Sequence, residues 1–486
     1  MIGAVISYGS IFGMAFGLAV AIVIGGALAL HFGQRVRNEP APLVFLAIVA
    51  AIMVAPLATQ RVLSAGLAGS EATVEEIGSS FWFSRVATLF VVALCAERTV
   101  RYFFNRRNRP PLGGWPLLWS FFAFTLSSQI LNGMFGANPS FDHKWLYAFP
   151  VYFTFFVVAQ QQPERCFAFA RWALLVFLVG SAAAVTVRPT AVIEFGFAAA
   201  LPGFSFRYYG LATHANTMGP LTVALMVILW RFPFGNRWVN RFAWAMAAGS
   251  LVLSQSKTSL GIAAGLWLFL AIHGYRARLR EADRARAASL ALALWCAACL
   301  AGVAIVAGVM AGANYVDWVL GKLDIVTGGQ WATLSGRTRI WALAWKEFNA
   351  YPLFGYGPSI WDPLYRYYAQ MPFASHAHNQ LLQSLSSGGL VAGVTLVIYA
   401  TTLTTYALRS AAATGGVSVA LVAMMLVRGI SEVPFSTASV MQAEFIIHLL
   451  ALVACLAAVR PAPAMVAPVP PTRPARTSGR RLEPAA

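Results

Sequence analysis

Apolar runs recur along almost the whole chain, near 11–32, 41–58, 81–97, 114–131, 145–162, 168–187, 210–230, 242–256, 258–273, 288–311, 390–408, 415–431 and 437–459. Most approach the roughly 20 residues that a helix needs to cross a hydrocarbon core. Alternating period-2 segments of about 10 residues do not dominate, so a membrane β-barrel is not expected. A helix satisfies its own backbone groups where water is absent. The expected fold is therefore all-α: a polytopic transmembrane bundle of about 12–13 spans. One connector, 312–389, is far longer than the rest and is expected to hold short helices.

Composition agrees. The chain is 59% hydrophobic and 11% charged, whereas a soluble surface calls for about 25% charged residues. The net charge of +18 invites a nucleic-acid reading. That reading fails because most basic residues flank the apolar runs, where they mark the cytoplasmic side. With the N-terminus outside, the inner connectors and tail carry roughly twice the Lys and Arg of the outer ones. This orientation belongs to a bacterial inner membrane and places 312–389 in the periplasm. The chain then divides into transmembrane helices over 1–311, a periplasmic loop over 312–389, further spans over 390–460, and a tail over 461–486. The tail, rich in Pro, Ala and Arg, is expected to be disordered in the cytoplasm. The first apolar run is too long for a signal-peptide core and reads as a span. Cys95, Cys166, Cys296, Cys299 and Cys455 lie within or at the ends of apolar runs. Cys296 and Cys299 have metal-like spacing without a second pair and read as structural.

The long connector is not polar. From Ser335 it reads S-G-R-T-R-I-W-A-L-A-W-K-E-F, then Y-P-L-F-G-Y-G-P-S-I-W from Tyr351, then S-H-A-H-N-Q-L-L-Q-S-L from Ser375. With Ser335 as N-cap, Trp341, Trp345 and Phe348 recur at helical spacing. That pattern predicts an amphipathic helix whose aromatic face suits a membrane interface. Pro352, Gly355, Gly357 and Pro358 end it in a turn. Arg337 and Arg339 fall in its first turn, where cations oppose the helix dipole and free N–H groups receive anions. Guanidinium matches phosphate oxygens in a bidentate way. The plain alternative is surface arginines on lipid headgroups. His376 and His378 are expected to open the next helix behind a Ser375 cap. Residues two apart do not share a helix face, so no metal site is expected. A neutral imidazole at a helix N-terminus is a proton acceptor, although lone loop histidines are more often structural.

Other polar residues sit at the outer ends of spans, where charge is costly and points to function. Arg207, His214 and Asn216 enter the bundle from outside. Lys257 lies in S-Q-S-K-T-S between two short spans. Arg428 and Glu432 are four apart in R-G-I-S-E and are expected to share a helix face, with a structural ion pair as the plain reading. Many cations at one depth with few acids suit a polyanionic ligand such as a lipid diphosphate.

G-R-T-R-I-W (336–341), P-L-F-G-Y-G (352–357) and H-A-H-N (376–379) resemble the signature of the O-antigen ligase and polysaccharide polymerase superfamily. S-Q-S-K-T-S is similar to its serine-arginine element and R-G-I-S-E to its acidic element. The resemblance covers about 205–435. It implies a glycosyltransferase with no metal or other cofactor, whose donor is a glycan on undecaprenyl diphosphate and whose surroundings are membrane lipid. A chain-length regulator is an implied partner. By motif position Arg337 would bind diphosphate, with Arg339, Lys257, Arg207, Arg428, Asn379 and His214 as further substrate-binding residues. His378 or Glu432 would be the base. Lysine at 257, where the family has arginine, keeps the charge and lacks the fork. The motif set is most similar to exopolysaccharide polymerases of the succinoglycan type. The runner-up is a ligase that transfers glycan to lipid A-core. A transporter is the reading of another class; no internal repeat favours it.

Overall fold

The computed structural model describes residues 40–59, 61–63, 82–104, 112–197, 205–276, 332–371 and 374–459. The expected spans at 11–32 and 288–311, Cys296, Cys299 and the tail lie outside the described residues. The remaining apolar runs fold as helices. They are α1 (Ala41–Ala58), α2 (Trp82–Phe104), α3 (Trp115–Thr125), α4 (Ala148–Gln161), α5 (Pro163–Val187), α6 (Ala215–Arg231), α7 (Arg237–Ser254) and α8 (Lys257–Arg276). After them come α9 (Ala332–Ala350), the short α10 (Pro363–Tyr368), α11 (Gln380–Arg409), α12 (Val417–Arg428) and α13 (Ala443–Cys455). By length and apolar composition, α1, α5, α8 and α11 can each cross a membrane.

The bundle core is aromatic. Phe121 and Tyr152 stack face to face with ring centroids 3.5 Å apart. The Tyr152 and Tyr399 hydroxyls meet at 3.2 Å in the same buried layer, so the polar tip of each ring has a partner away from water. A π-turn over Leu126–Leu131 continues α3.

Two expectations about the spans change. The runs at 415–431 and 437–459 hold helices of only 12 and 13 residues, each shorter than the roughly 20 that a crossing needs. Between them, 429–442 is irregular yet enters the bundle, with Glu432, Phe435, Thr437 and Val440 all buried. Non-helical backbone at this depth is stable only when protein surrounds it. Arg428 and Glu432 consequently do not share a helix face, because α12 ends at Arg428 and the chain turns there. A second feature, an antiparallel hairpin, pairs Ile193–Phe195 with Phe206–Tyr208 and sets Glu194 opposite Arg207.

The segment 352–357 is fastened to α11 by an exchange of backbone partners. At Gly389, α11 takes a left-handed conformation (φ 63°, ψ −161°). The amides of Leu390 and Val391 then donate to the carbonyls of Pro352 and Leu353, at 2.8 and 3.3 Å. The carbonyls of Ser386 and Ser387 accept instead from Tyr356 and Gly357, at 2.9 and 3.0 Å. These four backbone groups released by the kink are satisfied again.

Candidate functional site: a carboxylate ringed by basic residues

The ends of α6, α7, α8, α11 and α12 that carry the polar motifs lie together. The opposite ends of α6, α7, α8 and α11 carry Arg231, Arg237, Arg276 and Arg409. At the centre of the polar end is Glu432. Its Oε1 lies 2.9 Å from Asn216 Nδ2 and 3.3 Å from the Arg337 guanidinium. Its Oε2 lies 3.3 Å from His378 Nδ1 and 3.7 Å from His376 Nε2. Each oxygen therefore faces a different class of partner.

The two histidines do not open a helix. The cap of α11 is Asn379, whose side chain accepts from the Leu382 amide at 3.0 Å and donates to the Ile430 carbonyl at 3.1 Å. Ser375 is not the cap, and His376 and His378 lie in the turn before it. In that turn His378 has φ 48°, a region that non-glycine residues enter only under constraint. The turn brings the imidazole centroids within 4.0 Å, which helical spacing forbids. One atom from each of His376, His378 and Glu432 lies within 4.8 Å of the others, a set able to hold a metal ion. The expectation that these histidines stay apart is therefore corrected. The Arg337 guanidinium on the same carboxylate opposes a cation there, since like charges repel in a recessed site.

Hydrogen bonds sort the imidazole tautomers. The His378 amide donates to His376 Nδ1 at 3.1 Å, so the neutral His376 ring carries its proton on Nε2, facing Glu432. The Asn216 amide likewise donates to Nδ1 of His214, the cap of α6, at 2.9 Å. His378 alone turns Nδ1 to the carboxylate. An ionised carboxylate only accepts, so Nδ1 of neutral His378 donates and Nε2 keeps its lone pair.

Burial disfavours the His376 cation, and the neighbouring His378 adds to that. Both outweigh the attraction of Glu432 and push the pKa down to about 3. Burial alone would raise the Glu432 carboxyl. The His378 hydrogen bond and the charges of His376, His378 and Arg337 more than reverse it, holding the group well below the usual carboxylate range.

The basic residues divide. Arg207 donates to the Ser254 carbonyl at 3.1 Å and to Asn216 Oδ1 at 2.9 Å. Arg428, 4% exposed, pairs with Glu444 at 3.4 Å and reaches the Asn216 carbonyl at 3.3 Å. Arg339 and Lys257 are exposed and are not among the partners of Glu432. The helix carrying Arg337 begins at or before Ala332, so neither Arg337 nor Arg339 is in a first turn. Helix-terminal amides are therefore not their neighbours.

The aromatic face of α9 also differs from expectation. Ile340, Trp341 and Ala344 are buried against Ile360, Trp361, Met371, Ala374, Ala377 and Leu382. Of the predicted face, Trp341 enters this core and Trp345 packs at its edge, while Phe348 stays half-buried outside it. Sequence reasoning missed the bridging role of Asn216 and the Glu444 partner of Arg428. The signal for Glu444 was present, an acid within an apolar run.

Residues 242–397 match the family model described as O-antigen ligase. No curated protein matches the chain. The matched segment contains Arg337, His376 and His378; Arg207, Asn216, Arg428 and Glu432 come from outside it and meet them in space. With its apolar helices, the chain is a multi-pass membrane protein that carries, over residues 242–397, a segment matching the O-antigen ligase family model.

Proposed function

We propose that the protein is a metal-independent glycosyltransferase of the inner membrane, with its site facing the periplasm. It polymerises undecaprenyl-diphosphate-linked oligosaccharide repeat units into exopolysaccharide or O-antigen. The observation that carries this reading is Glu432 holding His378 on one oxygen and Arg337 on the other, at 3.3 Å each.

In this reading His378 is the base. Glu432 holds its Nδ1–H, so Nε2 is free to take the proton of an acceptor hydroxyl as that oxygen attacks the anomeric carbon. The bond from the anomeric carbon to the diphosphate oxygen breaks, and the diphosphate leaves with the electron pair. Arg337, with Arg207 beside it, neutralises the charge that develops. Arg337 lies against Glu432, Arg428 against Glu444, and Arg207 beside the Asn216 amide and opposite Glu194; an incoming diphosphate would meet these guanidiniums. Glu432 itself is poorly suited as the base, because a carboxyl held below the usual range binds a proton weakly.

The ligase reading, with lipid A-core as acceptor, keeps the same chemistry and draws support from the description of the matching family. The deciding assay uses purified protein in detergent, lipid-diphosphate-linked repeat units and EDTA. A ladder of lengthening chains supports a metal-independent polymerase. Transfer only when lipid A-core is supplied makes it a ligase, and activity abolished by EDTA and restored by a divalent cation overturns metal independence.

A further inference from the structure

Asn216 is the only amide side chain on the Glu432 carboxylate among the described residues, and it is held at both ends. Its Oδ1 accepts from the Arg207 guanidinium at 2.9 Å and its Nδ2 donates to Glu432 Oε1 at 2.9 Å. A guanidinium only donates and an ionised carboxylate only accepts, so the amide has one possible orientation. Its backbone is held too. The Asn216 amide donates to His214 Nδ1 at 2.9 Å, and its carbonyl accepts from Arg428 at 3.3 Å. One residue thus ties the hairpin, α6, the end of α12 and the 429–442 segment together.

We propose that Asn216 is a positioning residue, which rotates the Glu432 carboxylate so that Oε2 is presented to His378. The inference rests on the glycosyl-transfer reading. Without the amide, both carboxylate oxygens are free to turn toward the guanidinium of Arg337 or Arg207, and His378 loses the acceptor that fixes its tautomer. A bare ion pair between Arg207 and Glu432 in place of the bridge would also use up the charge meant for an anionic ligand. The amide keeps the two charges apart while coupling their positions.

The charges around the carboxylate set the expected pH response. Arg207 faces it from the hairpin through the amide, and Arg337 from α9. His376 and His378 face it from the turn before α11. Behind Asn216 lie His214 and the Arg428–Glu444 pair. Asn216→Asp keeps the shape and turns the donor into a second anion. That raises the proton affinity of Glu432 and of the imidazole it touches. Loss of a positioning hydrogen bond of this kind costs roughly 10–100-fold. Asn216→Asp should therefore lose that factor in kcat with KM for the lipid-linked glycan unchanged, and the acid limb of its kcat profile should move to higher pH. Asn216→Ser, which removes the bridge and adds no charge, should lose kcat without that shift.

The test measures kcat, KM and pH profile for the wild type and both variants. Melting temperature in detergent is recorded over the same pH range. Wild-type kcat and profile in both variants would overturn the proposal. So would a rise in KM at constant kcat, which would mean that Asn216 touches the glycan. If the wild type transfers nothing, the glycosyl-transfer reading fails by itself. The melting curves still decide the bridge: relative to wild type, Asn216→Asp should be destabilised most at neutral pH and recover on acidification, and coincident curves would overturn it.

Discussion

Trp341 donates its indole N–H to the carbonyl of Ala377 at 2.9 Å. Trp341 is one turn beyond Arg337 on α9, and Ala377 lies between the two histidines, so one hydrogen bond sets the guanidinium relative to the imidazoles. Trp341→Phe keeps the buried aromatic ring and removes the donor. Leaving a buried carbonyl unpaired costs about 1–3 kcal/mol. The variant should insert normally, melt at a lower temperature and transfer glycan more slowly. An unchanged rate would show that this bond does not position the site.

His378 and Glu432 have separable roles. His378→Asn suits the left-handed backbone at this position, since asparagine enters that region readily, so the protein should fold and insert. Loss of a general base lowers rates by about 10²–10⁴-fold. Glu432→Gln keeps an oxygen that accepts from His378 but removes the charge, and should fall between the wild type and His378→Asn. Single-turnover transfer in detergent gives both rates. A fully active His378→Asn would move the base elsewhere, with Glu432 the first candidate.

Much of this arrangement was legible in the sequence. The run at 41–58 is the helix Ala41–Ala58, and the break at S-Q-S-K falls at Gln255, which is left-handed (φ 49°). The order of the motifs and their expected place at one edge of the membrane brought Arg207, Arg337, His378, Arg428 and Glu432 under suspicion together. Hydropathy could not reveal the 429–442 segment. The runs read at 415–431 and 437–459 left only 432–436 between them, whereas α12 ends at Arg428 and α13 begins at Ala443; Ile430, Val433, Phe435, Val440 and Met441 are apolar enough to blur those ends. The histidine turn was missed because Ser375 and Asn379 are both good N-caps, and the choice between them rests on tertiary contact. Asn379 gains a carbonyl partner at Ile430, which sequence spacing does not show. The aromatic stripe of α9 is divided: protein covers Trp341 and leaves Phe348 half-buried outside the cluster, a difference that periodicity does not show.

Arg337→Lys tests whether the charge or the fork is needed. Lysine is a point charge and cannot bind two phosphate oxygens in parallel. The variant should keep Glu432 paired and the protein stable, yet bind polyprenyl diphosphate more weakly. Product inhibition by that lipid measures this directly. The inhibition constant should rise while melting temperature holds. Equal inhibition of wild type and variant would mean the diphosphate lies elsewhere.

Acid should destabilise the protein through two groups. Glu432 is lowered from 4.5, so its contribution is present above that value and lost as pH falls through the folded one. His376 is lowered from 6.5 to about 3. A half-buried neutral imidazole with a lowered pKa binds fewer protons than the unfolded chain over that window, so stability falls as pH drops from 6.5 towards 3. Melting temperature in detergent should decline on acidification, beginning near 6.5. His376→Gln should flatten the part of the slope above 4.5. A slope unchanged by that substitution would place the titration on other groups.

Gly389 tests whether the loop motifs depend on the kink in α11. An added Cβ would strike the Leu353 carbonyl, and φ 63° with ψ −161° is a conformation that essentially only glycine adopts. Straightening the helix would return the Leu390 and Val391 amides to Ser386 and Ser387 and eject Tyr356 and Gly357 from their present partners. Gly389→Ala should cost about 1–3 kcal/mol, expose 351–371 to protease and lower transfer. Gly265→Ala is the control. It lies within α8 with open space where the Cβ would sit, and alanine is the better helix former by about 0.5–1 kcal/mol. The control should melt at or above the wild-type temperature with an unchanged cleavage pattern. If both alanine variants behave alike, the partner exchange at Gly389 is not what holds the loop against the bundle.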